Sequence, residues 1–214
     1  MPLFISPLPN RFIGAGNNLK LFGSSSVSLG PISVAAGADD AEIWGTNFYD
    51  NGESADFEGW IGTSSTPQWV FLRFILPSAI PAGSTITAAS VDVFSSAVSF
   101  WNNSTSDINL RATDVANASA PTTAAQRPVS DGGSTATTAA IVTWSNVTMG
   151  DSAYHTSADI SSIIQELVND NSGLANGAGI VIWLREANGL GEYANIRLVG
   201  HATPKPAKLN ITYI

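Results

Sequence analysis

The chain has 214 residues, 44% of them apolar and only 12% charged, with a net charge of −8 and no cysteine. A chain of this length favours one domain. Its nine Lys and Arg form no basic run, which excludes a nucleic-acid backbone as partner, and the missing thiols exclude disulfides and thiolate metal sites.

Residues 1–36 differ from the rest. Pro2, Pro7, Pro9 and Pro31 deny ladder donors and fix φ. Leu3, Phe4, Ile5, Leu8, Phe12, Ile13 and Phe22 follow neither a helical nor a strand period. The segment is too apolar for a disordered leader, so it is predicted to be an extended anchoring or assembly arm lying on its own fold or on a neighbouring subunit. It has no basic n-region, and its prolines interrupt any apolar core, so a signal peptide is not expected and synthesis in a cytoplasm is. No apolar run approaches the ~18 residues of a bilayer span, so no membrane partner is expected either.

From residue 37 to 214 the pattern is that of one β domain. Strands are predicted at 39–45, 68–76, 84–96, 106–115, 139–145, 178–186, 192–200 and 207–214, about eight or nine short strands at sandwich spacing. Pro81 and Gly83 supply turn chemistry between the second and third of these. One helix interrupts the series. Ile160, Ile163, Ile164, Leu167 and Val168 fall at helical spacing, Asp159 or Ser157 is placed to cap the start, and the run NDNSG stops it. Such a helix is predicted to cover one open end of the sandwich.

Within the first strand and the loop after it, Asp39, Asp40, Glu42 and Asp50 belong to an acidic stretch without Lys or Arg. Such carboxylates are candidate oxygen ligands for a structural Ca²⁺, although the spacing matches no EF-hand template and a solubilising acidic loop is the alternative. Four loop-proximal aromatics, Trp44, Tyr49, Trp60 and Trp101, are candidate platforms for sugar rings, with burial at strand ends as the ordinary alternative. Trp144 and Trp183 lie in apolar runs and are predicted to be core, and Trp69 is ambiguous. Arg73 and Arg185 stand in otherwise apolar strands: on a solvent face they are ordinary, and if partly buried they need a carboxylate partner such as Asp92 or Glu186, a structural role in either case.

The order of motifs resembles one family. Leu72-Arg73-Phe74 is followed by Ile80-Pro81-Ala82-Gly83 with Ile86 and Ala89. Asp159 then leads the helix to Val168, Asn176-Gly177 leads into the strand at Ile180, and the chain closes on Pro206 to Tyr213. Over residues 38–214 this is similar to the DNRLRE-type, carbohydrate-binding-module-like β-sandwich family, although the eponymous string is absent and the arm is not covered. The resemblance implies a jelly-roll-like sandwich of a kind found in phage structural proteins and in extracellular polysaccharide-associated proteins, often with a structural calcium. It licenses no activity, because function varies across such folds.

Two histidines, no G-x-S-x-G elbow, no H-E-x-x-H and no phosphate loop leave no catalytic constellation in the sequence, so an enzyme is not expected. The expectation is a structural protein on the surface of a phage virion: a capsid decoration, head-fibre or tail accessory subunit. Its arm would hold it to other copies, with a trimer the expected homo-oligomer, and to another virion protein such as a capsid protein. The alternative is an extracellular carbohydrate-binding module that holds glycans through its loop aromatics.

Overall fold

The computed structural model describes residues 25–49, 58–62, 68–95, 106–148, 152–187, 193–199 and 204–214. Among them twelve strands occur in chain order: β1 Val27–Ser33, β2 Asp40–Trp44, β3 Asn47–Tyr49, β4 Glu58–Gly62, β5 Gln68–Ile75, β6 Ile86–Phe94, β7 Ser106–Ala112, β8 Val142–Val147, β9 Tyr154–Thr156, β10 Gly179–Glu186, β11 Tyr193–Arg197 and β12 Lys208–Tyr213. The helix α1 spans Ser161–Asp170. Ten strands form two sheets, ordered β1-β12-β6-β9 and β3-β2-β5-β10-β7-β8, while β4 and β11 form a separate ribbon. Every pair between these strands is antiparallel.

Without the β2–β3 hairpin and the ribbon, the other eight strands divide in the order of a jelly roll, β1-β12-β6-β9 against β5-β10-β7-β8. The protein is therefore an all-β sandwich with one helix, as its sequence predicts. Between the sheets lie Val70, Leu72, Phe74, Leu110, Ile180, Ile182 and Leu184 on one side and Ala89, Val91, Leu209 and Ile211 on the other. The six-stranded sheet also buries its outer face. There Trp69, Phe71, Val181 and Trp183 pack with Ala118 and Ala124 of the 113–140 segment. This second cover explains why β5 and β10 read as continuous apolar runs without alternation.

The stretch Val27–Ser33, which its proline and glycine assign to the arm on sequence grounds, is a strand of the sandwich. It pairs with β12 from Val27↔Tyr213 to Ser33↔Lys208, with a register shift between Leu29 and Ile32. Gly30 sits in that shift at φ +130, where a Cβ would lie 2.8 Å from the Leu209 carbonyl oxygen. Only glycine accepts both the angle and the approach. Pro31 occupies an edge strand, where its missing N–H removes no ladder bond from a central pair.

The helix closes the sandwich as predicted, with Ile163, Ile164, Leu167 and Val168 buried. Its start is set by the segment before it, which imitates a strand along β6. The Ala89 N–H donates to Asp159 Oδ1 at 3.0 Å and the Val91 N–H to Ser157 Oγ at 3.0 Å. In return the Ser157 and Ile160 N–H groups donate to the Val91 and Ala89 carbonyls at 2.9 and 2.8 Å. Asp159 then accepts the Ser161 N–H at 3.0 Å and the Ser161 hydroxyl at 2.9 Å. Burial pushes the Asp159 carboxyl up, but these hydrogen bonds outweigh it and hold the group below its usual range.

Further along α1, Gln165 accepts the Ile86 N–H at 2.7 Å, and the two Glu166 oxygens accept the Ala139 and Ala140 N–H groups at 2.6 and 2.7 Å. Replacing Asp159 by alanine leaves the amides of Ala89 and Ser161 without this acceptor. The expected loss is about 1 kcal/mol, the net worth of a hydrogen bond, read as a lower urea midpoint at unchanged slope. Because the folded carboxyl is depressed, its contribution is present at neutral pH and fades as pH falls through the folded pKa. Wild type and variant therefore converge in acid.

Candidate functional site

The candidate residues divide by location. Leu3, Phe4, Ile5, Leu8, Phe12, Ile13 and Phe22 of the arm lie outside the described residues, as do Asp50 and Trp101. Trp60 lies on β4, opposite Asn195 of β11, but its side chain is not among those described.

Trp44 and Tyr49 are brought together. β2 and β3 form a two-residue hairpin through Gly45 at φ +60, with Glu42 opposite Tyr49 and Trp44 opposite Asn47. Alternation therefore puts Trp44, Tyr49, Asn47 and Glu42 on one face of the hairpin. Trp44 is 44% exposed and Tyr49 37%, so two rings face solvent beside an exposed Asn47 at the outer edge of the larger sheet.

Of the proposed metal ligands, the three that are described, Asp39, Asp40 and Glu42, do not converge. Asp39 precedes β2 and turns to Arg73, whose Nη1 donates to its Oδ1 at 2.6 Å, while Arg73 Nε donates to the Ala118 carbonyl at 2.8 Å. Asp40 and Glu42 point to the opposite face and are buried. Asp40 accepts the Val199 N–H at 2.8 Å through Oδ2, and its Oδ1 has no partner. Burial pushes the Asp40 carboxyl up to about 7, against the Val199 hydrogen bond and with help from the Asp39 charge. Alternation turns Asp39 away from Asp40, and although Glu42 shares the face of Asp40, these three acids do not bring their oxygens together.

Among the described residues a different acidic trio does converge, Asp114, Glu166 and Asp170. Burial first, then Asp170 and Glu166, push the Asp114 carboxyl up. Both Glu166 oxygens already hold backbone amides.

The partners expected for the strand arginines are also corrected. Asp92 accepts from Thr156 and Asn210, and Arg73 takes Asp39 instead. Arg185 pairs with Asp131, which lies in a 3-10 turn at Val129–Asp131 within the cover segment. Trp69 and Trp183 are fully buried and meet edge to face at 6.1 Å and 89°, whereas Trp144 is half-buried against the core.

Sequence reasoning missed the most concentrated polar arrangement, on the outer face of the larger sheet. The guanidiniums of Arg111 and Arg185 both lie over the Trp69 ring, at 5.5 and 5.3 Å from its centroid. Arg111 Nη1 donates to Ser130 Oγ at 3.1 Å, and Arg127 Nε donates to the Asp131 carbonyl at 2.9 Å, so the 3-10 turn is tied across the pair. Burial and the Arg185 charge pull the Arg111 pKa down against the pull of Asp131. The strand register offered a signal, since Arg111 faces Trp183 across β7 and β10.

No protein-family model matches the chain, and no curated protein is significantly similar to it.

Proposed function

We propose that the chain is a non-enzymatic structural protein of a phage virion, a DNRLRE-type jelly-roll body held on the particle by the residues before β1. One observation carries this reading. Nine large apolar residues between Leu3 and Phe22 precede β1, an edge strand of the four-stranded sheet. An apolar segment leading off a sheet edge is well placed to dock on a neighbouring copy or on a capsid protein at the virion surface. The described carboxylates Asp39, Asp92, Asp159 and Glu166 are all engaged in holding arginine, side-chain or backbone donors, which suits a scaffold.

The test is solution mass by light scattering of the full chain and of a chain lacking residues 1–24, a cut that keeps β1. An oligomer, with a trimer expected, that becomes a folded monomer on truncation supports assembly through this segment. Two monomers of equal compactness reject it.

A second reading, glycan adhesion, is favoured by the exposed pair of Trp44 and Tyr49 on one hairpin face. Flat rings beside an amide suit the apolar face and hydroxyls of a sugar.

A further inference from the structure

Trp44 and Tyr49 are not singly scattered surface residues, because the hairpin puts both rings on one open face. The other face of the hairpin is anchored. Ile43 is fully buried, and Phe48, opposite it, stacks on Phe71 at 6.1 Å between ring centroids. Alternation then fixes Trp44, Asn47 and Tyr49 on the side away from that anchor. The Gly45 turn is held too, since Arg127 Nη1 donates to the Gly45 carbonyl at 3.4 Å from the cover segment. The platform is set before anything binds, and a rigid platform loses little freedom on binding.

Spacing and charge narrow what fits. Trp44 and Tyr49 are diagonal neighbours across the hairpin, a separation of about 7–8 Å in an antiparallel pair. That offset is wider than one pyranose ring, so the two rings address successive units of a chain. In a chain with equatorial linkages each unit shows an apolar C–H face along a flat ribbon, which a flat strand pair can match. The surroundings are acidic. Glu42 stands on the same face opposite Tyr49, and Asp50, Glu53, Asp56 and Glu58 follow within nine residues. No Lys or Arg occurs between Lys20 and Arg73. Such a field repels uronates and sulfated sugars.

We propose that the Trp44–Tyr49 face selects a neutral, flat, β-linked oligosaccharide and spans two of its units, with Asn47 on their hydroxyls. The inference rests on the glycan-adhesion reading and narrows it to one class of chain.

The test titrates the full chain by calorimetry with cellohexaose, mannohexaose, glucose and hexagalacturonate. Saturable binding of a neutral hexaose is expected, tighter than that of glucose or of hexagalacturonate. Trp44→Ala is expected to weaken it roughly tenfold, as loss of a binding hot spot does, while Tyr49→Phe keeps the ring and the affinity. Both side chains are exposed, and unchanged urea midpoints check that the variants stay folded. Tighter binding of hexagalacturonate overturns the neutral class and leaves adhesion standing. Equal affinity for glucose and a hexaose overturns the two-unit span. Hexaose binding that survives Trp44→Ala overturns the site and moves adhesion elsewhere on the chain. If none of the sugars saturates, the inference and the adhesion reading fall together. An oligomer that Trp44→Ala dissociates, read by light scattering, gives the face to a second copy and also overturns the inference.

Discussion

Replacing Asp40 by asparagine is expected to stabilise the protein at pH 8 and to change it little at pH 4. Asp40 has no exposed surface, and only one of its oxygens meets a donor. Its carboxyl is raised from 3.8 to about 7 in the folded state. A raised acid binds more protons when folded than when unfolded, so its effect on stability is most favourable below the unfolded pKa. That favourable effect is lost as pH rises from about 4 to about 7, and above 7 the folded state contains an unpaired buried charge. A shift of this size corresponds to about 4 kcal/mol. Asparagine keeps an acceptor for the Val199 N–H and removes the charge, but it buries an amide donor of its own. The net gain is therefore roughly 2 to 4 kcal/mol at pH 8. Urea unfolding of both proteins at pH 4, 6 and 8 measures it. Parallel stability curves would show that Asp40 does not titrate in this range.

The second large effect is expected at the helix. Ile164 is fully buried on α1, in the cluster that joins the helix to both sheets. Ile164→Ala removes three carbons from a close-packed site that cannot collapse far, because α1 is fixed to β6 through Asp159 and Gln165. The expected loss is about 2–5 kcal/mol. Ser162, exposed on the same helix, is the control, and its replacement by alanine stays within about 0.5 kcal/mol. Urea midpoints at unchanged slope read both. A small effect at Ile164 would mean that the helix is not part of the cooperative core.

The helix was legible because five apolar residues at helical spacing have one explanation. Its first turn was not, since Ile160 belongs to the pattern yet precedes the helix, where its N–H answers a β6 carbonyl. β3 and β9 have three residues each, too few for alternation to declare itself. β1 was hidden by Gly30 and Pro31, which read as breakers and serve as an edge bulge. Trp69 stayed ambiguous because its burial depends on the 113–140 segment, whose apolar residues have no period. The partners of Arg73 and Arg185 come from 34 and 54 residues away, so the nearest acid in the sequence was a poor guide. The acidic run near Asp39 was visible as composition, but Asp39 is taken by Arg73 on one face while Asp40 accepts the Val199 N–H on the other.

Both sheets end in rims that discourage further strands. On the smaller sheet, β9 offers only three residues and β1 is interrupted by the Gly30–Pro31 bulge. On the larger, β3 is again three residues long, and β8 loses register between Ser106 and Ile108 where Asn146 takes φ +57. Exposed, regular rims are the templates on which sheets grow into one another, and short or kinked ones prevent it. Copies of this sandwich crowded at high local concentration would therefore stay separate bodies. A lattice built from them would be held by appended segments and side-chain faces, and its geometry could be changed without polymerising the sheets into fibres.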